Sequence, residues 1–142
     1  MNRLLLLGLL AILMAGCSSM KLNDSSRELM GEWRIEYIAG RPVIDYSPAT
    51  ITFTEDLKLA GNASCNRYFG SYTLNNDKLK IGSPMGSTMM MCAEALMDQE
   101  GRMMKALEAV ETMRLENGLL ILIDSSQEEI IRASRVEKNS GS

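Results

Sequence analysis

Tyr68-Phe69-Gly70-Ser71-Tyr72-Thr73-Leu74-Asn75-Asn76-Asp77-Lys78-Leu79-Lys80-Ile81 is the stretch whose reading decides the fold. Tyr68 to Leu74 is rich in aromatic and β-favouring side chains, Asn75-Asn76-Asp77 is a polar turn, and Lys78 to Ile81 resumes an extended run. Strand, tight turn and returning strand make an antiparallel hairpin, and the pattern recurs on both sides. Upstream, Gly31-Glu32-Trp33-Arg34-Ile35-Glu36-Tyr37-Ile38 alternates, which predicts one strand face carrying Trp33, Ile35 and Tyr37. Gly40-Arg41-Pro42 turns the chain, Thr50 to Thr54 alternates with Ile51 and Phe53 inward, and Glu55-Asp56 leads into Lys58-Leu59-Ala60-Gly61.

One stretch breaks the pattern. Between Ala93 and Val110, the apolar residues Leu96, Met103, Leu107 and Val110 recur at helical spacing, and acidic residues crowd the first half. Gly101 weakens that helix by about 1 kcal/mol. Strands then return at Thr112-Met113-Arg114-Leu115, after the turn Glu116-Asn117-Gly118 at Leu119-Leu120-Ile121-Leu122-Ile123, and at Glu129 to Ala133. Five successive apolar residues imply a strand buried on both faces, beneath the helix. The expected architecture is therefore mainly β (α+β): a compact antiparallel β-meander or partly closed barrel with one α-helix packed against it.

A length of 142 residues holds one domain. The net charge of -3 and the lack of a basic stretch argue against nucleic acid as a partner. Histidine is absent, which removes the commonest catalytic base and the commonest metal ligand together.

The amino terminus is an address. A cationic start at Arg3 precedes the apolar run Leu4 to Ala15, too short to cross a hydrocarbon core of about 30 Å as a helix. Leu13-Met14-Ala15-Gly16-Cys17 resembles a bacterial lipobox, which implies a lipoprotein signal peptide over 1–16 and a diacylglycerol or palmitate anchor on Cys17. Such acyl chains, at about 0.8 kcal/mol per buried methylene, would hold the chain on a membrane. Ser18 stands where an inner-membrane retention signal resembles Asp, so the expected location is the outer membrane, facing the periplasm. Residues 17–27 read as a polar tether, 28–136 as the folded domain and 137–142 as a solvated tail.

Cys65 and Cys92 remain in an oxidising space, where an even pair without histidine reads as a disulfide. The bridge would contribute about 3–4 kcal/mol through its loop in the chain-entropy model. Two buried free thiols, or a soft-metal site, are the alternatives.

Three blocks coincide in order: Gly31-Glu32-Trp33 with Gly40-Arg41-Pro42-Val43, Gly61-Asn62-Ala63-Ser64-Cys65-Asn66-Arg67-Tyr68-Phe69-Gly70-Ser71-Tyr72, and Ser87-Thr88-Met89-Met90-Met91-Cys92. Together they resemble the META domain family, to which HslJ-like bacterial heat-shock lipoproteins belong. The resemblance implies a compact antiparallel β fold with one helix and a link to stress response, and it brings no established catalytic residues. Where the pattern of many members resembles Thr-Arg/Lys-Met-x-Cys, this chain departs from it, with Met89 after Thr88.

Asn66, Arg67, Tyr68, Thr88 and Met91 form the candidate recognition patch, with Arg67 suited to grip a carboxylate or phosphate. The plainer reading has Asn66 satisfying backbone groups at a tight turn and Arg67 pairing with a neighbouring acid. Gly61 and Gly70 read as bulge or turn positions. Methionine is over-used, at 12 residues, and the cluster Met85, Met89, Met90, Met91 admits three readings. Core packing is the plainest, a flexible surface for hydrophobic partners the second, and a soft Cu(I) site the third. The acidic pairs Asp98/Glu100 and Glu128-Glu129 read as solvated charge. No catalytic residue, metal or cofactor is assigned.

The expected function is non-enzymatic: a monomeric envelope lipoprotein contributing to stress response through contacts with other envelope proteins. The alternative is a carrier of a small apolar ligand, or an inhibitor of a periplasmic hydrolase.

Overall fold

The computed structural model describes residues 24–137. The segment read as a signal peptide, Cys17, and most of the segments read as tether and tail lie outside the described residues. Helix α1 (Asp24–Leu29) begins inside the segment read as tether. Strands β1 (Gly31–Ile38), β2 (Arg41–Pro42), β3 (Ala49–Phe53), β4 (Lys58–Asn62), β5 (Arg67–Asn75), β6 (Lys78–Ile81) and β7 (Gly86–Ser87) follow. After α2 (Glu94–Glu108) come β8 (Thr112–Glu116), β9 (Leu119–Ile123) and β10 (Glu129–Arg135).

All the pairings are antiparallel, and the strands run β6-β5-β4-β3-β1-β10-β9-β8. The two ends of that path meet. Met113 N–H donates to the Asp77 carbonyl at 2.7 Å and Leu79 N–H to the Glu111 carbonyl at 3.2 Å. A Lys80–Glu111 ion pair sits over the same seam. The sheet is thus nearly closed into a barrel, which leaves little unpaired strand edge. α2 is inserted in the connection from β6 to β8 and packs chiefly on β1 and β6.

Alternation fills the interior. Trp33, Ile35, Ala49, Ile51, Phe53, Leu59, Tyr68, Tyr72 and Leu79 are buried along the strands, and Met103 and Leu107 of α2 join them. Phe53 and Tyr72 meet edge to face, with ring centroids 5.1 Å apart. At the end where β1 begins, Trp33 Nε1 donates to the Leu29 carbonyl at 2.9 Å while the Arg135 guanidinium lies 4.0 Å from the Trp33 ring centre.

Three local expectations are corrected. Tyr37 does not share the face of Trp33 and Ile35: it is exposed, and Ile38 is buried in its place. A bulge between Ile35 and Tyr37 adds one residue opposite β10, which reverses every side chain beyond it. Gly61 and Gly70 are paired inside β4 and β5, at neither turn nor bulge. At Gly61 a Cβ would stand 2.0 Å from the Thr50 carbonyl oxygen and 2.7 Å from the Tyr68 hydroxyl, so close approach is what requires glycine. The run Leu119–Ile123 is buried on both faces, but α2 packs chiefly elsewhere.

The Tyr68 and Tyr72 hydroxyls donate to the carbonyls of Thr50 and Thr54, each at 2.8 Å. Burial pushes the Tyr68 hydroxyl far above the ordinary tyrosine range, and burial followed by the Asp56 charge pushes Tyr72 up. Both hold their protons more tightly in the fold than in the unfolded chain, which ionises near pH ~10. Stability is therefore complete below that pH and declines as pH rises beyond it, by about 1.4 kcal/mol per unit from Tyr68 alone. Simultaneous tyrosinate absorbance and circular dichroism test this: Tyr68 and Tyr72 should ionise only together with unfolding, and early ionisation in the Tyr68→Phe-sensitive fraction would contradict it.

Gly101 is exposed in the middle of α2, and nothing lies within 4 Å of the Cβ it lacks. Gly101→Ala should raise the unfolding free energy in urea by about 0.5–1 kcal/mol.

Candidate functional site

At the end of the barrel next to α2, the β4–β5 turn carries Cys65, and its partner Cys92 lies just before the helix. They form a disulfide with Cα atoms 5.9 Å apart. Asn66, the next residue, is only 3% exposed and uses its whole side chain. Its Oδ1 accepts from the Met90 N–H at 2.6 Å and from the Thr88 hydroxyl at 2.9 Å. Its Nδ2 donates to the Met90 carbonyl at 3.2 Å and to Glu100 Oε1 at 3.0 Å. Glu100 Oε2 meanwhile accepts from the Asn66 backbone N–H at 2.7 Å. One amide thereby joins the β4–β5 turn, the segment before α2 and α2 itself.

Neighbouring groups tighten the knot. Thr88 N–H donates to the Arg67 carbonyl at 2.9 Å, and Arg67 N–H to the Thr88 hydroxyl at 3.1 Å, which extends the β5–β7 ladder by one residue. Ser64 holds a φ of 116°, an unusual conformation for a residue with a side chain, and its N–H donates to Asn62 Oδ1 at 2.9 Å. On α2, Gln99 is fully buried, accepts from the Ile44 N–H at 2.8 Å and donates to the Ser47 carbonyl at 3.0 Å. Adjacent residues Gln99 and Glu100 thus moor the helix to two different loops.

The candidate patch separates into two groups. Asn66 and Tyr68 are buried and bonded inside the fold, whereas Arg67, Thr88 and Met91 are exposed. Among the described residues Arg67 makes no ion pair, so the acid expected beside it is missing. Glu100, read as solvated charge, is instead a half-buried anchor of Asn66. Its helical neighbours three and four residues away are Leu96, Met97, Met103 and Met104, so an acid on the apolar side of α2 was the signal available in the sequence.

Core packing holds for Met85, which is half-buried against the core, and fails for the run Met89 to Met91. Met89 is 94% exposed, Met90 57% and Met91 89%, whereas Met103 and Met113 are buried. The reason is the backbone: Met90 offers both its N–H and its carbonyl to Asn66, so the segment follows Asn66 rather than a strand, and its side chains point out. Phe69, 59% exposed on the neighbouring β5, lies against Gly86. It also lines an outer cleft of about 510 Å³ with Thr52, Lys58, Ala60, Ser71 and Pro84. With both sulfurs in the bridge, neither Cys65 nor Cys92 offers a thiolate to a soft metal. No group of three or more His, Cys, Asp or Glu is placed to hold a metal among the described residues.

A model of the META domain family matches residues 27–137, nearly all of the described chain. The chain belongs to the META domain family. The fold has solved counterparts. One solution structure is 25% identical, with a TM-score of 0.59 over 75% of this chain and 89% of the other. A second, from Burkholderia xenovorans, is 24% identical, with a TM-score of 0.64 over 79% of this chain and 86% of its own. A crystal structure of a DUF4847 family protein from Bacteroides vulgatus is similar in fold at 13% identity, with a TM-score of 0.57 over 79% of this chain and 96% of that one. A comparison with curated proteins gives no match. In this META domain the Cys65-Asn66-Arg67 block and the Thr88 to Cys92 block, far apart in sequence, are two sides of one knot.

Asn66→Ala deletes four side-chain hydrogen bonds and should lower the urea unfolding free energy by about 2–4 kcal/mol. Asn66→Asp keeps the shape but turns an oxygen toward Glu100 Oε1, and should cost at least as much. Adding Glu100→Gln restores a donor and should recover part of that loss; no recovery would mean that the Glu100 contact does not hold the turn.

Proposed function

We propose that this META domain protein is a non-enzymatic, lipid-anchored envelope protein that contributes to stress response by contact with other proteins through the face formed by Met89, Met90 and Met91. The observation that carries the reading is the exposure of three consecutive methionines on a backbone pinned by Asn66 and the disulfide. Unbranched, polarisable thioether side chains adapt to irregular apolar surfaces, and a face built from them accepts varied partners. The partner class that fits is exposed apolar segments of incompletely folded envelope proteins. Anchoring through Cys17 on the outer membrane, facing the periplasm, rests on the lipobox and on Ser18.

The carrier alternative is less well supported. Trp33, Phe53, Tyr68 and Tyr72 occupy the barrel interior, and the cleft of about 510 Å³ beside Phe69 lies on the outside.

Light scattering tests the contact reading. An outer-membrane barrel protein diluted from urea should aggregate more slowly with an equimolar amount of this protein present. The triple variant Met89→Ser/Met90→Ser/Met91→Ser should lose that effect, while its stability changes by no more than about 0.5 kcal/mol per site. Aggregation that is unchanged by the native protein would sink the proposal.

A further inference from the structure

We propose that Met89, Met90 and Met91 are a modification site for two-electron oxidants, hydroperoxides or hypohalous acids, and that their conversion to sulfoxides turns this face from apolar to polar. The proposal deepens the contact reading above and rests on it only for its consequence for partners.

The distribution of oxidisable groups makes the case. The chain has no histidine, and its single tryptophan, Trp33, is 1% exposed. Cys65 and Cys92 are already joined, so the folded domain offers no thiolate. Met103 is fully buried, Met113 is 5% exposed, and Met30, Met85 and Met104 are partly covered by the core. Met97 is half-buried as well, so among the described residues the methionines most open to solvent are those of one tripeptide. Reaction with a hydroperoxide is balanced: the thioether lone pair attacks the distal oxygen, an S–O bond forms, the O–O bond breaks, and the leaving oxygen departs as water or alcohol after proton transfer. Sulfur loses two electrons and the oxidant gains them. With a hypohalous acid, sulfur first takes the halogen and hydroxide leaves; water then attacks the halosulfonium, the S–halogen bond breaks, and halide departs with two protons, one of which neutralises the hydroxide.

The structure also limits the damage. Asn66 holds the backbone of Met90, not its side chain, and the disulfide holds Cys92, so adding oxygen to the three sulfurs breaks no bond of the knot. What changes is the surface. A sulfoxide is a strong hydrogen-bond acceptor, chiral and polar, and it no longer suits an apolar partner.

The test uses the purified protein and hydrogen peroxide, with peptide mass mapping over time. Met89 and Met91 should gain oxygen roughly tenfold faster than Met103 and Met113, as exposure dictates. Equal rates at those four positions would overturn the site. Protein carrying the three added oxygens should keep its thermal midpoint and elute earlier from a hydrophobic-interaction column; unchanged retention, or a collapsed midpoint, would overturn the switch. The variant Met89→Leu/Met90→Leu/Met91→Leu should keep its retention through the same treatment, and a shift in it would place the change elsewhere. Failure of the native protein to slow aggregation would sink the contact reading alone, because oxidation order and retention are read without a partner.

Discussion

The amide of Asn66 is the interaction on which the site depends. After β6 the chain pairs briefly with β5 as β7, leaves the sheet through α2 and returns as β8, and this excursion has to be fixed against the barrel. The Cys65–Cys92 bridge fixes one point of it. A disulfide acts mainly by restricting the unfolded chain, about 3–4 kcal/mol for this loop, and leaves rotation about its own bonds to other contacts. Asn66 supplies the orientation. It holds both polar groups of the Met90 backbone, the Thr88 hydroxyl and a Glu100 oxygen, each within 3.2 Å. Individually such bonds contribute about 0.5–1.5 kcal/mol net, yet leaving these buried groups unpaired would cost more than making them gains. Satisfying the set permits few arrangements, and this one turns the methionines outward.

The same economy governs the barrel wall. Tyr68 and Tyr72 sit on β5 but bond to carbonyls at or just beyond the two ends of β3, reaching over β4 between them. Gly61 makes the first crossing possible, because any side chain there would fall on the Tyr68 hydroxyl and the Thr50 carbonyl. Each tyrosine thus buries a large ring and satisfies its own polar end, avoiding the penalty of a stranded hydroxyl. The outcome is an interior occupied by large rings whose polar ends are satisfied within the wall.

What could be read from sequence followed the range of each interaction. Strands β3 to β6 and β8 to β10, and the helix over 94–108, were legible because alternation and helical period are local signals. Tyr37 was misplaced because a bulge depends on the partner strand, and neither Glu36 nor Tyr37 is unusual in isolation. β2 and β7, two residues each, owe their existence to their neighbours alone. Cys65 and Cys92 could be paired by counting. Glu100 was legible only in part: its neighbours Leu96, Met97, Met103 and Met104 mark an acid on the apolar side of the helix, but its partner, an amide 34 residues away, is not a local signal. Met89 to Met91 were the opposite case: apolar composition argued for the core, and a hydrogen-bonding pattern set elsewhere exposed them.

That exposure gains its meaning from rigidity. A flexible methionine loop would have to be ordered on contact, at about 0.5–1.5 kcal/mol for each side chain immobilised and more for the backbone. Here Asn66 holds the backbone of Met90 and the bridge holds Cys92 beyond Met91, so less of that cost remains to be met. The surface is therefore firm where ordering costs most and adaptable where fit matters, a combination suited to weak contact with many apolar shapes. In the proposed reading, a lipid anchor would add to this in a different way: by confining the face to a thin layer beside the membrane, it would raise the effective concentration near other envelope proteins even when each contact is weak. Affinity could then stay low and partners leave quickly, because adaptability of the methionine side chains rather than a deep pocket would supply the fit.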